Sequence, residues 1–239
     1  MNITKIQLIT NPWDSANHED SNLIRIVNAS KFALLIKQRK MTKILNIVTS
    51  IKGDASFSNK LANAVLEKIA TDYPGTEIHT HDLNTSPIPH LEELHFSAFS
   101  TPEDLQTTEQ KEALKYSENG IRELMEADVI VIGVPVYNFS IPSTLKAWID
   151  HIVRAGVTFT FIDGIPQGLV KGKKVYLSIA SGAIFSEGPM KDYDFVEPYL
   201  RTILGFIGMT DITVFRAEGT MMPEFKDNAL PKAFEALSA

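Results

Sequence analysis

The chain contains no cysteine. Disulfides, a thiol nucleophile and any cysteine-ligated metal are therefore excluded, and the fold must rest on packing and hydrogen bonding. Long apolar runs are missing too: no stretch approaches the ~20 residues that a membrane-spanning helix needs, and the first residues lack the continuous apolar core of an export signal. Positive charge is outweighed, with 23 Lys and Arg against 29 Asp and Glu, and a net charge of −6 argues against a nucleic-acid partner. Familiar nucleotide and hydrolase signatures are also absent. A single glycine, Gly53, follows the first apolar run, so there is no G-x-G-x-x-G. Residues 168–174 have the wrong glycine spacing for a phosphate-binding Walker loop and lack the hydroxyl after the lysine; they read as a basic turn. No G-x-S-x-G marks a hydrolase nucleophile. What is present, 44% hydrophobic and 22% charged residues, describes an ordinary globular protein with a sizeable core, expected in the cytoplasm with neither membrane nor nucleic acid as partner.

Residues 1–40 read differently from the remainder. They hold a polar cluster around Asp14 to Ser21 and a mildly apolar piece ending in Lys37, Arg39 and Lys40, after which Met41 stands directly before the first strand. They are expected to be an N-terminal extension, poorly ordered or arising from a mis-set start, with residues 41–239 forming the functional domain. From Met41 onward, strand and helix alternate. Strands are expected at 44–48, 76–81, 129–136, 174–180 and 211–217, and helices at 58–71, 108–125, 143–156 and 193–207, with a last helical segment beyond Pro223. Residues 82–106, with three prolines, are expected to be an irregular loop, and residues 157–172 a loop or short hairpin. Near-continuously apolar first, third and fourth strands predict an α/β fold of three layers, a five-stranded parallel sheet covered by helices on both faces.

In such a sheet, ligands bind beyond the carboxyl ends of the strands, where strand order reverses. Three loops qualify. The first carries Ser50, Ser56, Phe57 and Ser58 into a helix, whose free N–H groups favour an anion; read alone, Ser56 or Ser58 serves equally well as a helix cap. The second, Pro135 to Pro142, sets Tyr137 and Phe139 between two prolines. The third, Ala180, Ser181, Gly182 and Ala183, is small enough for a flat ligand to approach the backbone. Together they describe a site for a phosphorylated, planar aromatic cofactor. Histidines offer no competing centre at this level: His79 and His81 face one side of a strand with no carboxylate at ligand spacing, Asp150 and His151 diverge as neighbours on a helix, and His90, His95 and His151 are scattered.

At Ser50-Ile51, Ser56-Phe57-Ser58-Asn59, Pro135-Val136-Tyr137-Asn138-Phe139, Arg154 to Phe159 and Gly205-Phe206-Ile207-Gly208, the chain resembles the FMN-dependent NADH-azoreductases, flavodoxin-like homodimers related to the NAD(P)H quinone reductases. The resemblance spans essentially all of 41–239. It implies that Ser50, Ser56, Phe57 and Ser58 hold the FMN phosphate, that Val136, Tyr137, Asn138 and Phe139 lie along the isoalloxazine, and that Ala180, Ser181, Gly182 and Ala183 border its pyrimidine side. It also implies a homodimer in which NADH reduces the flavin and a quinone or azo compound reoxidises it, with no catalytic side chain required. Phe96, Phe99, Phe159 and Phe161 are candidates for stacking on substrate or partner, packing being the alternative. One departure stands out: many relatives carry two glycines after an arginine where this chain has Ser181-Gly182-Ala183. Residues alone leave open a flavodoxin-type electron carrier and a flavin-free binding module.

Overall fold

The computed structural model describes residues 42–238, and the expected extension at 1–40 lies outside them. The elements run β1 (Lys43–Val48), α1 (Phe57–Asp72), β2 (Glu77–Asp82), α2 (Glu93–Ser100), α3 (Thr108–Glu126), β3 (Val129–Pro135), α4 (Ser143–Ile152), β4 (Phe159–Ile162), β5 (Ile165–Gly168), β6 (Lys174–Ala180), α5 (Val196–Phe206), β7 (Asp211–Ala217) and α6 (Ala229–Ser238). Five of the strands form one parallel sheet in the order β2-β1-β3-β6-β7, while β4 and β5 form a separate antiparallel hairpin.

Strand alternation sorts side chains to the two faces of the sheet. Ile44, Val129 and Val131 pack with Ala62, Val65, Leu66 and Ile69 of α1. Leu45, Ile47, Ile130, Ile132 and Val134 point the other way, into a larger core with Leu124 of α3, Leu145 and Trp148 of α4, and Leu200 and Leu204 of α5. β3 is buried along its whole length, as its unbroken apolar sequence requires. Gly133 near its end admits α1 closely: a Cβ there would stand 3.4 Å from Asn59 Oδ1 and 3.5 Å from the Ser58 carbonyl.

Several expectations need correction. The segment 82–106 is not irregular throughout, because α2 and a 3-10 turn at Glu103–Leu105 fill much of it. Its prolines flank these elements rather than interrupt them, and the Glu92 amide donates to His95 Nδ1 at 3.2 Å where α2 begins. The helix opened by Pro142 stops at Ile152 instead of reaching Gly156. Thr158 ends it: its buried hydroxyl donates to the Ile152 carbonyl at 2.7 Å and accepts the Arg154 amide at 2.8 Å. The helix expected at 193–207 is α5 and starts at Val196, with a 3-10 segment, Gly188–Tyr193, ahead of it. His95 and His151 are not scattered either. Their rings meet edge to face at 4.8 Å, and His151 Nε2 lies 3.1 Å from the Pro89 carbonyl, tying the long connection to α4. Burial pushes the His151 pKa down, which favours a neutral packing group.

The pair on β2 also differs from expectation. A carboxylate does reach both histidines, Glu123 of α3, with His81 Nδ1 at 2.8 Å and His79 Nε2 at 3.3 Å. Sequence spacing hid it because the contact joins residues 42 apart. Among the described residues, no group of three His, Cys, Asp or Glu is arranged to hold a metal ion.

Candidate functional site

β1 and β3 are neighbours whose chains leave toward opposite sides of the sheet, so the switch point falls between their carboxyl ends. Thr49 ties those ends together, its buried hydroxyl donating to the Gly133 carbonyl at 2.6 Å. Ser50 follows, also buried. Its carbonyl accepts from Asn84 Nδ2 at 3.1 Å, while its hydroxyl accepts the Lys52 amide at 3.3 Å and lies 3.4 Å from the Tyr137 hydroxyl. After a 3-10 turn at Gly53–Ala55 the chain enters α1 through Ser56, whose Oγ accepts the Asn59 amide at 3.2 Å and stands 3.0 Å from Ser58 Oγ. Phe57 and Ser58 open the helix, where backbone amides have no carbonyl one turn back to bind. The two readings of this loop are therefore compatible: Ser56 is the N-cap, and the same helix end gathers hydroxyls and free amides suited to an anion.

In the second loop, Tyr137 and Ser140 exchange backbone hydrogen bonds of 3.0 Å each way around Asn138 and Phe139, whose φ angles are +49° and +67°. This is the two-residue turn with both central residues left-handed. Asn adopts that conformation readily and Phe does not. Phe139 is held there by ring contacts with Phe185 at 6.0 Å and Tyr193 at 5.8 Å.

The third loop leaves β6 and is bound to the segment after β7. The Ser181 carbonyl accepts the Thr220 amide at 3.1 Å and its hydroxyl at 3.0 Å, and the Gly182 carbonyl accepts the Met221 amide at 3.1 Å. Gly182 has a packing reason: a Cβ there would lie 2.9 Å from Met221 Cγ. Farther along, an ion cluster fixes the same loop. Arg216 of β7 pairs with Asp194, Glu197 and Glu218, and Glu218 Oε1 accepts the Phe185 and Ser186 amides at 2.9 and 3.0 Å. Burial works against the charge on Arg216, but Glu197 and Asp194 outweigh it and raise its pKa. Burial likewise opposes ionisation of Glu197, and the hydrogen bonds from Arg216 and Arg201 overcome it and leave the carboxyl below its ordinary value.

One cleft of about 240 Å3 joins the three loops. Ser50, Ser56, Phe57 and Ser58 line it from the first, Val136 and Tyr137 from the second, and Ala180, Ser181 and Gly182 from the third. Asn138, Phe139 and Ala183 do not line it; Phe139 faces its aromatic neighbours, and the Ala183 carbonyl is taken by the Ser181 hydroxyl at 2.7 Å. The cleft adds Lys52, Pro135, Thr220 and Met221, of which Thr220 and Met221 escaped sequence reasoning altogether. A signal existed for them, since they follow the carboxyl end of β7, the same sheet edge as the other loops. Hydroxyls and free amides suit a phosphate, and the small third loop leaves room for a planar ring, so the residues fit FMN.

The fold family and known proteins agree with this geometry. Residues 42–239 match the family described as having a flavodoxin-like fold. An FMN-dependent NADH:quinone oxidoreductase of Herminiimonas arsenicoxydans is 47% identical over 199 residues, covering 83% of this chain and 98% of that protein. The chain belongs to this family. A second member, from Beijerinckia indica subsp. indica, is 43% identical over 198 residues, with coverage of 83% and 98%. Among solved structures, an azoreductase from Bacillus anthracis str. Sterne superposes with a TM-score of 0.77 at 27% identity, covering 82% of this chain and 96% of that one. An FMN-dependent NADH-azoreductase from Bacillus anthracis str. Ames Ancestor in complex with FMN gives 0.72 at 27% identity, with coverage of 83% and 98%. The family is one of FMN-dependent NADH:quinone oxidoreductases, and the carrier and flavin-free alternatives fall away.

Of the four phenylalanines considered for stacking, Phe99 lies under the Arg154 guanidinium, 5.0 Å from it, and Phe159 packs on Phe206 at 4.6 Å. Phe96 and Phe161 are 69% and 60% exposed, and none of the four lines the cleft.

Proposed function

We propose that the protein is an FMN-dependent oxidoreductase in which NADH is the electron donor and quinones or aromatic azo compounds are the acceptors, turning over by a ping-pong cycle as a cytoplasmic homodimer. The observation that carries this reading is the convergence of the serine turn, the Tyr137 loop and the Ser181 loop on one cleft at the switch point, in a chain 47% identical to an NADH:quinone oxidoreductase. When bound, FMN supplies the redox chemistry, taking a hydride from the nicotinamide and passing electrons to the acceptor.

The chain's own part is positioning. Ser50, Ser56 and Ser58, with the Phe57 and Ser58 amides, hold the phosphate at the start of α1. Tyr137, tied to Ser50 through their hydroxyls, fixes the second loop against the first. The turn at Asn138 and Phe139, braced by Phe185 and Tyr193, holds the Val136 and Tyr137 backbone along the ring, and Ala180, Ser181 and Gly182 border its far side. No side chain has to act as nucleophile or general base. A dimer is supported by the hairpin of β4 and β5, whose Phe161, Ile162 and Ile165 are 60%, 53% and 68% exposed, an apolar tip in want of a covering surface.

The test is spectroscopic. Purified protein should be yellow, and anaerobic NADH should bleach the flavin band at a rate fast enough for turnover, with colour restored by a quinone or an azo dye. A flavin band that neither NADH nor NADPH bleaches would falsify the reading.

A further inference from the structure

Among the residues lining the cleft, Lys52 alone carries a charged side chain. We propose that Lys52 is a binding residue for the FMN phosphate, supplying the cation that balances it, and that FMN affinity in this chain therefore depends on ionic strength. This rests on the cofactor reading above and goes beyond the serine set.

Lys52 is placed by the turn that carries the serines. Its amide donates to Ser50 Oγ at 3.3 Å and its carbonyl accepts the Ala55 amide at 3.1 Å, which fixes its Cα beside the entrance to α1. The ammonium itself forms no ion pair or hydrogen bond among the described residues. Asp54, two residues on, lines a neighbouring cavity with Asn59 and Lys60 rather than this cleft. An unpaired ammonium on a flexible four-carbon stem is well suited to follow a phosphate as a point charge.

The rest of the cleft supplies donors without charge. Ser56 Oγ already accepts from the Asn59 amide and shares a contact with Ser58 Oγ, and Ser50 Oγ is engaged by Lys52 and Tyr137. Hydroxyls and amides satisfy phosphate lone pairs, yet a phosphate monoester near neutral pH carries close to two negative charges. The chain around it is itself negative, at −6, which adds an unfavourable background field. A positive side chain at the cleft offsets both.

Riboflavin has the same ring and no phosphate, so it separates this role from any effect on the ring. The full-length protein, freed of flavin, is titrated with FMN and with riboflavin by flavin fluorescence, as wild type, Lys52→Gln and Lys52→Arg, at low and at raised salt. The expected result is that Lys52→Gln weakens FMN about five- to tenfold at low salt, that the loss shrinks as salt rises, that riboflavin is unaffected and that Lys52→Arg retains most of the affinity. Equal weakening of both flavins, or no weakening of FMN, overturns the proposal alone. A wild-type protein that binds neither flavin overturns the cofactor reading with it.

Discussion

Ser56 Oγ takes the Asn59 amide at 3.2 Å and touches Ser58 Oγ at 3.0 Å, so one buried hydroxyl both closes the first turn of α1 and orients its neighbour toward the cleft. Replacing it by alanine removes the cap, which costs about 1 kcal/mol, and leaves Ser58 without its partner. Ser56→Ala is therefore expected to lower the free energy of urea unfolding by about that amount and to weaken FMN binding as well. A variant with unchanged stability would show that the cap contributes nothing. The serines were legible in sequence because hydroxyls before a helical run have a local meaning, whichever of cap or anion site is intended. Thr220 and Met221 were not, because their place in the cleft depends on hydrogen bonds to Ser181 and Gly182 some forty residues away.

At the scale of elements, β2 is an exposed edge strand held to α3 by the carboxylate of Glu123. The hydrogen bond to Glu123 raises the pKa of His81 against the opposing effect of burial. Burial would raise Glu123, but the hydrogen bond and charge of His81 outweigh it and leave the carboxyl below its ordinary value. A raised histidine contributes stability that is complete below its unfolded value, near 6.5, and is lost as pH rises through the folded one. A lowered carboxyl contributes stability present above its unfolded value, near 4.5, and lost as pH falls through the folded one. The clamp is thus strongest between those two values. Glu123→Gln should reduce unfolding free energy by about 1 kcal/mol in that window, with the deficit shrinking at higher pH; a deficit independent of pH would sink the assignment. None of this clamp was readable beforehand. The strand, its alternation and the two histidines were visible, whereas the partner came from a helix on the other side of the long connection. That connection itself concealed α2, whose eight residues are too few for a clear helical period between prolines.

For the molecule as a whole, the alternation of strand and helix after Met41 carried the architecture, since buried parallel strands read as apolar runs and the loops between them fall at one edge by topology alone. The family match begins at residue 42, and relatives are matched over 98% of their own length by 199 and 198 residues of this chain. Every loop that lines the cleft, from Ser50 to Met221, comes from that span. A chain begun at Met41 is accordingly expected to fold cooperatively and to bind FMN with the affinity of the full-length protein. Circular dichroism and flavin titration of the two chains, side by side, provide the measurement. Equal affinity with a common unfolding midpoint would make residues 1–40 dispensable for the cofactor site, and loss of flavin from the shorter chain would assign them a part in it.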